Sequence, residues 1–170
     1  MDGKHLLSYV ITPVLEHLTG AALRGGRTAV LDTLAAHQLL LGTAIQESRL
    51  LYLRQLGSGP ALGLWQMEPA THDDIWANYL RYHPDLAAKV EALSCRLWPI
   101  GATQMQGNLY YACAMARCLY FRVPDLLPAA GNVKGLVGYW KSHYNTPLGA
   151  GTVEKALPAF AQAVEMTQKE

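Results

Sequence analysis

The sequence predicts a mainly α-helical single domain over residues 1–170, with at most a small β element near residues 57–67. Three observations carry that prediction. Apolar residues recur at three- and four-residue intervals in one segment after another, which is the repeat of a helix face. No stretch alternates apolar and polar residues over enough length to specify a strand. Prolines and short polar residues stand where the periodic segments begin. A chain of 170 residues supports one sizeable core and is too short for two ordinary domains. With 51% hydrophobic and 16% charged residues it is not a disordered tail. No internal repeat or linker divides it.

The elements follow in order. Residues 4–18 form one helix or two, with Leu7, Val10, Ile11, Val14, Leu15 and Leu18 as the stripe. Pro13 either kinks this segment or begins a second piece capped by Thr12. Gly20, Gly25 and Gly26 mark a loop, after which Thr28 or Asp32 is the expected cap of a long helix ending before Gly57. Gly57, Gly59, Pro60 and Gly63 cannot stay helical, and Leu62 to Met67 is the candidate arm of a small sheet. Pro69 opens a helix over 69–82, with Asp73 and Asp74 near its positive end. Pro84 opens the next, over 84–95, and Pro99 and Gly101 end that region. Helix 103–122 has the clearest period and many small residues, so it is the expected central core helix. Asn132 caps a helix whose face is Val133, Leu136, Val137, Trp140 and Tyr144, broken at Pro147. Thr152 caps the last helix, with Val153, Leu157, Phe160, Ala161 and Val164 inward and Pro158 as a bend.

Composition excludes several classes. A net charge of +1 gives no strong field for nucleic acid or an anionic membrane, so neither is an expected partner. The apolar run Leu6 to Leu18 is interrupted by Pro13, Glu16 and His17, and it carries no cleavage pattern. The expectation is therefore no membrane span, no signal peptide, and synthesis in the cytoplasm. Three cysteines, Cys95, Cys113 and Cys118, make an odd set without framework spacing and are expected to be free, buried thiols. His72 beside Asp73 and Asp74 lacks paired-His spacing, so it is read as a solvated first turn, with no metal and no cofactor expected. Gly57-Ser58-Gly59 lacks the strand-turn-helix setting of a nucleophile elbow, and no strand precedes it as a dinucleotide loop requires.

The chemistry concentrates between Leu39 and Thr71. Leu40, Ala44, Glu47 and Leu51 fall on one helix face, so the Glu47 carboxylate is expected to be partly desolvated. Desolvation raises a carboxyl pKa, as a general acid working near neutral pH requires. The glycine-rich turn and the run Leu64-Trp65-Gln66-Met67 then supply an aromatic and an amide. The alternative for Glu47 is a helix residue paired with Arg49, Arg54 or Lys141.

Ala44-Ile45-Gln46-Glu47-Ser48 followed by Gly63-Leu64-Trp65-Gln66-Met67-Glu68-Pro69-Ala70-Thr71 resembles the soluble lytic transglycosylase family of the lysozyme-like superfamily. Asn108-Leu109-Tyr110-Tyr111 resembles its N-L motif, and Tyr144-Asn145 its last Y-N motif. Residues 54–76 also resemble small lysozyme-like proteins of tailed phages and prophages. The motif-bearing core covers about residues 39–150. The chain departs from the pattern at Glu68, where the family usually has Met, and after Asn145, where Thr146-Pro147-Leu148-Gly149 replaces the usual x-G.

The resemblance implies a lysozyme-like helical domain that cleaves peptidoglycan glycan strands, as lytic transglycosylase or muramidase. Glu47 would be the catalytic acid. Ser48, Trp65, Gln66, Asn108, Tyr144 and Asn145 would bind substrate or hold the cleft, and Glu68 stands as a candidate second carboxylate without an assigned role. The alternative is a non-catalytic phage virion or assembly protein that keeps the fold, with other virion proteins as partners. Without a leader, an enzyme of this kind would reach the host wall by delivery, for example as part of a virion. Ordinary buried amides and core aromatics are the competing readings for Gln66, Asn108, Trp65, Tyr110 and Tyr144.

Overall fold

The computed structural model describes residues 1–95, 101–145 and 151–168. The fold is mainly α, with no sheet among the described residues. Asp2 caps helix α1 (Gly3–Leu6), its carboxylate accepting the Lys4 and His5 backbone N–H groups at 2.9 and 3.1 Å. A π turn, Leu7–Ile11, carries the chain directly into α2 (Thr12–Leu18). Pro13 explains the turn: it has no N–H to offer, its ring crowds the preceding turn, and the wider pitch relieves both. Thr12 is accordingly helical, at φ −56° and ψ −57°, and not a cap.

Helix α3 (Leu34–Ser48) carries Glu47. Its cap is Thr33, whose hydroxyl accepts the Ala36 N–H at 3.2 Å, and not Thr28 or Asp32. Thr28 is engaged in an antiparallel bridge with Ala22, and Asp32 accepts from His37 Nε2 at 2.7 Å. Every residue from Gln38 to Ala44 is buried, so this helix is covered on all sides. It runs along α8 (Val153–Gln168) at close range. A Cβ on Gly42 would sit 2.5 Å from the Phe160 ring, so the absence of a side chain there sets the helix spacing. Thr152 caps α8 through a 3.3 Å bond from Lys155 N–H, as expected. The buried face is Ala156, Ala159, Phe160, Ala163 and Val164; Ala161 lies outside, which rotates the face from the predicted one.

The middle of the chain wraps this pair. Helix α4 (Pro69–Asn78) stops where Tyr79 leaves helical geometry at φ −133°; a 3-10 turn, Leu80–Tyr82, leads to α5 (Pro84–Ala92). The predicted helix 103–122 is split: a 3-10 turn, Ala102–Gln106, precedes α6 (Leu109–Phe121). The split falls at Asn108, which caps α6 by accepting the Tyr111 N–H at 3.1 Å. All ten residues from Tyr111 to Tyr120 are buried, so α6 is a core helix, as the small residues indicated. Asn132 caps α7 (Val133–Trp140) with a 3.0 Å bond from Gly135 N–H, and a second π turn, Lys141–Asn145, follows. The expected breaks at Pro99 and Pro147 lie outside the described residues.

The small β element reduces to two isolated bridges, Arg54 with Leu62 and Leu62 with Met67. Cys113 and Cys118 are buried free thiols; Cys95 is free but exposed, correcting the expectation that all three are buried. No described helix is long and apolar enough to cross a membrane.

Candidate functional site

Helix α3 ends by turning sharply. Arg49 and Leu50 both take left-handed backbone, at φ 53° and 57°, after Ser48. Ser48 stabilises the turn: its hydroxyl donates to Ala44 C=O at 2.9 Å and accepts Leu50 N–H at 3.2 Å. It is fully buried and belongs to the helix end, not to a substrate surface. Leu51 therefore lies beyond the helix and is 65% exposed, so it is not part of the stripe that shields Glu47.

The chain then returns over α3 through the glycine-rich segment. Leu62 and Met67 exchange backbone bonds at 2.9 and 3.0 Å around the turn Gly63 to Gln66. Gly63 is required there: it takes φ 72°, and a Cβ would meet the Met105 carbonyl oxygen at 2.2 Å. Gln66 takes φ 47°, a costly backbone for a residue with a side chain, and its Nε2 donates back to Gly63 C=O at 2.7 Å. The turn is pinned to α3 by Trp65, whose indole N–H donates to Leu40 C=O at 2.9 Å. Trp65 is 1% exposed and thus supports the cleft from beneath; it is not a stacking platform for a sugar. Tyr144 reaches the same turn, its hydroxyl donating to Trp65 C=O at 2.7 Å, while its ring packs on Tyr120.

These elements enclose a cleft of about 590 Å³. Glu47, Gln46, Gln66, Glu68, Tyr144 and Asn145 all line it, with Trp140 and Gln55. Half-buried Glu47 accepts a 2.8 Å hydrogen bond on Oε1 from the Trp140 indole N–H. Burial pushes its carboxyl from the ordinary 4.5 up to about 7, and the Trp140 donor pulls the other way. Among the described residues Glu47 forms no ion pair, so Arg49 and Arg54 do not neutralise it. Behind the lining, buried Tyr120 bonds Thr43 at 2.7 Å and Thr43 donates to Leu39 C=O. Glu68 is exposed at the rim as the backbone cap position of α4. Asn145 accepts from Lys141 Nζ at 2.8 Å.

Asn108 is elsewhere. Its side chain caps α6 and donates to Leu93 C=O at 2.8 Å, beside a separate groove that it shares with Tyr110. It plays a structural part, so with buried Ser48 and Trp65 three of the predicted substrate-binding residues lie outside the cleft lining, and Gln66, Tyr144 and Asn145 remain in it. His72 is also not a solvated first-turn residue: it is 3% exposed, bonded to Asp73 at 2.8 Å and to the Tyr111 hydroxyl at 2.7 Å. Sequence reasoning placed Trp140 only on a core face and missed its bond to Glu47, which spans 93 residues. A carboxyl that burial raises to about 7, in an open cleft also lined by the amides of Gln46, Gln55, Gln66 and Asn145, can donate a proton to an ether or alcohol oxygen. Comparison with protein-family models, curated proteins and solved structures returns no match.

Proposed function

We propose that this chain cleaves the glycan strand of peptidoglycan, with Glu47 as its single general acid and base. The observation that carries the reading is the state of Glu47: a half-buried carboxyl in an open cleft, raised to about 7, with a neutral N–H donor as its partner. An ion-pair residue would be held low by a cation instead. The motif resemblance supplies the substrate class, and the likeness of residues 54–76 to phage lysozyme-like proteins supports a virion component delivered to the wall.

The reaction needs one acid. Protonated Glu47 gives its proton to the glycosidic oxygen as the C1–O bond breaks. The resulting carboxylate then takes the proton of the muramyl 6-hydroxyl, whose oxygen bonds to C1 and closes a 1,6-anhydro ring. Some glycosidases use a group of the substrate in place of a second carboxylate, and the 6-hydroxyl is the group that the resemblance to lytic transglycosylases implies. Gln66, Gln46 and Asn145 offer the amides that orient the sugar. Glu68 is exposed at the rim, so among the described residues no second buried carboxylate lines the cleft, which favours the single-acid route.

The test is digestion of purified peptidoglycan, with the released ends identified by mass. Anhydro ends support the reading in full. Reducing ends keep Glu47 as acid and bring in a water nucleophile. No release by correctly folded protein overturns the enzyme and leaves the assembly-protein alternative.

A further inference from the structure

On a different part of the molecule, Arg117 of α6 is 3% exposed and has no carboxylate partner among the described residues. Its Nε–H donates to Leu31 C=O at 3.1 Å, and its guanidinium lies 5.2 Å from the Phe121 ring centre. Among the described residues neither Nη group has a hydrogen-bond partner and no sealed side-chain nitrogen is left unpartnered, so both open onto the adjoining cavity. That cavity, about 600 Å³, is also lined by Arg27, Tyr79 and His83. A buried guanidinium without an anion is an uncompensated cost in a fold. Burial lowers Arg117 only to about 10, so it stays charged at neutral pH.

The surroundings are donors. His83 Nδ1 accepts the Arg24 N–H at 3.4 Å, so the neutral ring carries its proton on Nε2. Arg117, Arg27 and Tyr79 line this one cavity, where burial pushes the Tyr79 phenol up to about 12 and the two guanidinium charges oppose it. Asp125, the acidic residue of the lining, is engaged by His143 at 3.3 Å. Arg122 is engaged by Asp74.

The geometry points to an anion site in this cavity: a phosphate group borne by a small molecule, gripped end-on by the two Nη groups of Arg117 and flanked by Arg27, His83 and Tyr79. Two guanidiniums match a dianion, and the donors outnumber what the two oxygens of a carboxylate absorb. Phe121, Leu23 and Leu127 supply apolar wall for the body of the molecule.

Phenyl phosphate, inorganic phosphate and benzoate are titrated into the full chain at matched ionic strength, by calorimetry and by thermal midpoint. Saturable one-to-one binding of phenyl phosphate is expected. At a hundred times its Kd the midpoint should rise by about 5–10 °C. Arg117→Met should abolish binding, and Arg27→Gln should weaken it by about tenfold or more. Arg27 is exposed, so its variant keeps the test decisive even where Arg117→Met fails to fold. Glu47→Gln should bind as wild type, which separates this site from the glycan cleft. A midpoint shift no larger than that of chloride overturns the site, as does unaltered binding by Arg27→Gln. Benzoate binding as tightly as phenyl phosphate overturns the phosphate assignment, and equal affinity for inorganic phosphate overturns the small-molecule body.

Discussion

Replacing Glu47 by Gln separates the two roles the residue could have. The amide keeps the shape and keeps an oxygen for the Trp140 donor at 2.8 Å, but it loses the ionisable proton. The folded carboxyl sits at about 7 against an ordinary 4.5, with burial the larger cause and Trp140 opposing it. The folded state therefore holds a proton that the unfolded chain has already released across that interval. Stability is fully present below pH 4.5 and is lost as pH rises through about 7. At about 1.4 kcal/mol for each pH unit, and with one edge of the carboxyl facing cleft water, the loss is ~2–3 kcal/mol. For a chain of this size that is on the order of 5–10 °C in thermal midpoint.

The Gln variant has no such loss. Its midpoint should match wild type at pH 4 and exceed it by that margin at pH 8, measured by calorimetry on both proteins across the range. Glycan release by the same samples should fall by roughly a hundred- to ten-thousand-fold, the usual worth of a general acid. Wild-type release should decline as pH rises through about 7, because the protonated carboxyl is the working form. A variant that melts lower than wild type at pH 8 and still digests peptidoglycan would refute both the desolvation argument and the catalytic one.

Other expectations follow from the same geometry. Trp140→Phe removes the indole donor that holds the Glu47 pKa down, so the alkaline limb of activity and the carboxyl titration followed by NMR should both move up; an unmoved titration would deny Trp140 its positioning role. Gly63→Ala places a Cβ against the Met105 carbonyl on left-handed backbone and should cost several kcal/mol in a denaturant melt, on the order of the largest single-residue effects. A thiol reagent should modify exposed Cys95 in the native protein and reach buried Cys113 and Cys118 only on unfolding, because burial pushes both of their thiols up, Cys118 to about 12. Two thiols reacting rapidly in native buffer would contradict the packing of α6.

Much of the fold was legible because it rests on local rules. Asn132 and Thr152 cap where their side chains predict, and Pro69 and Pro84 open helices at the first turn. The misses are places where a longer-range demand competed with a local one. Thr28 could have capped α3, but its backbone pairs with Ala22, and the next available hydroxyl, Thr33, takes the position. The helix expected from residue 103 begins at Leu109 because Asn108 spends its amide on Leu93 and its oxygen on the first turn. His72 looked like a surface residue from its acidic neighbours. Its burial depends on the Tyr111 hydroxyl, 39 residues away, which no spacing rule connects to it.

The site shows the same division more sharply. A helical stripe was sufficient to anticipate a desolvated Glu47, yet the stripe is not what desolvates it: Leu51 is outside the helix and exposed. The residues around it come from Tyr120 of α6, Trp140 of α7 and Tyr144 of the π turn that follows, none of which is near Glu47 in sequence. Likewise Trp65 and Ser48, adjacent to the acid and the amide in the motif, turn away from the cleft to hold α3 and the return turn together. A motif of contiguous residues thus serves two ends. Ser48 and Trp65 build the frame, while Gln46, Glu47, Gln66 and Glu68 line the cleft. The Trp140 indole N–H sits on Oε1, so in the proposed reaction Oε2 would carry the proton and the direction of its delivery would be set by α7, the element that the motif itself does not contain.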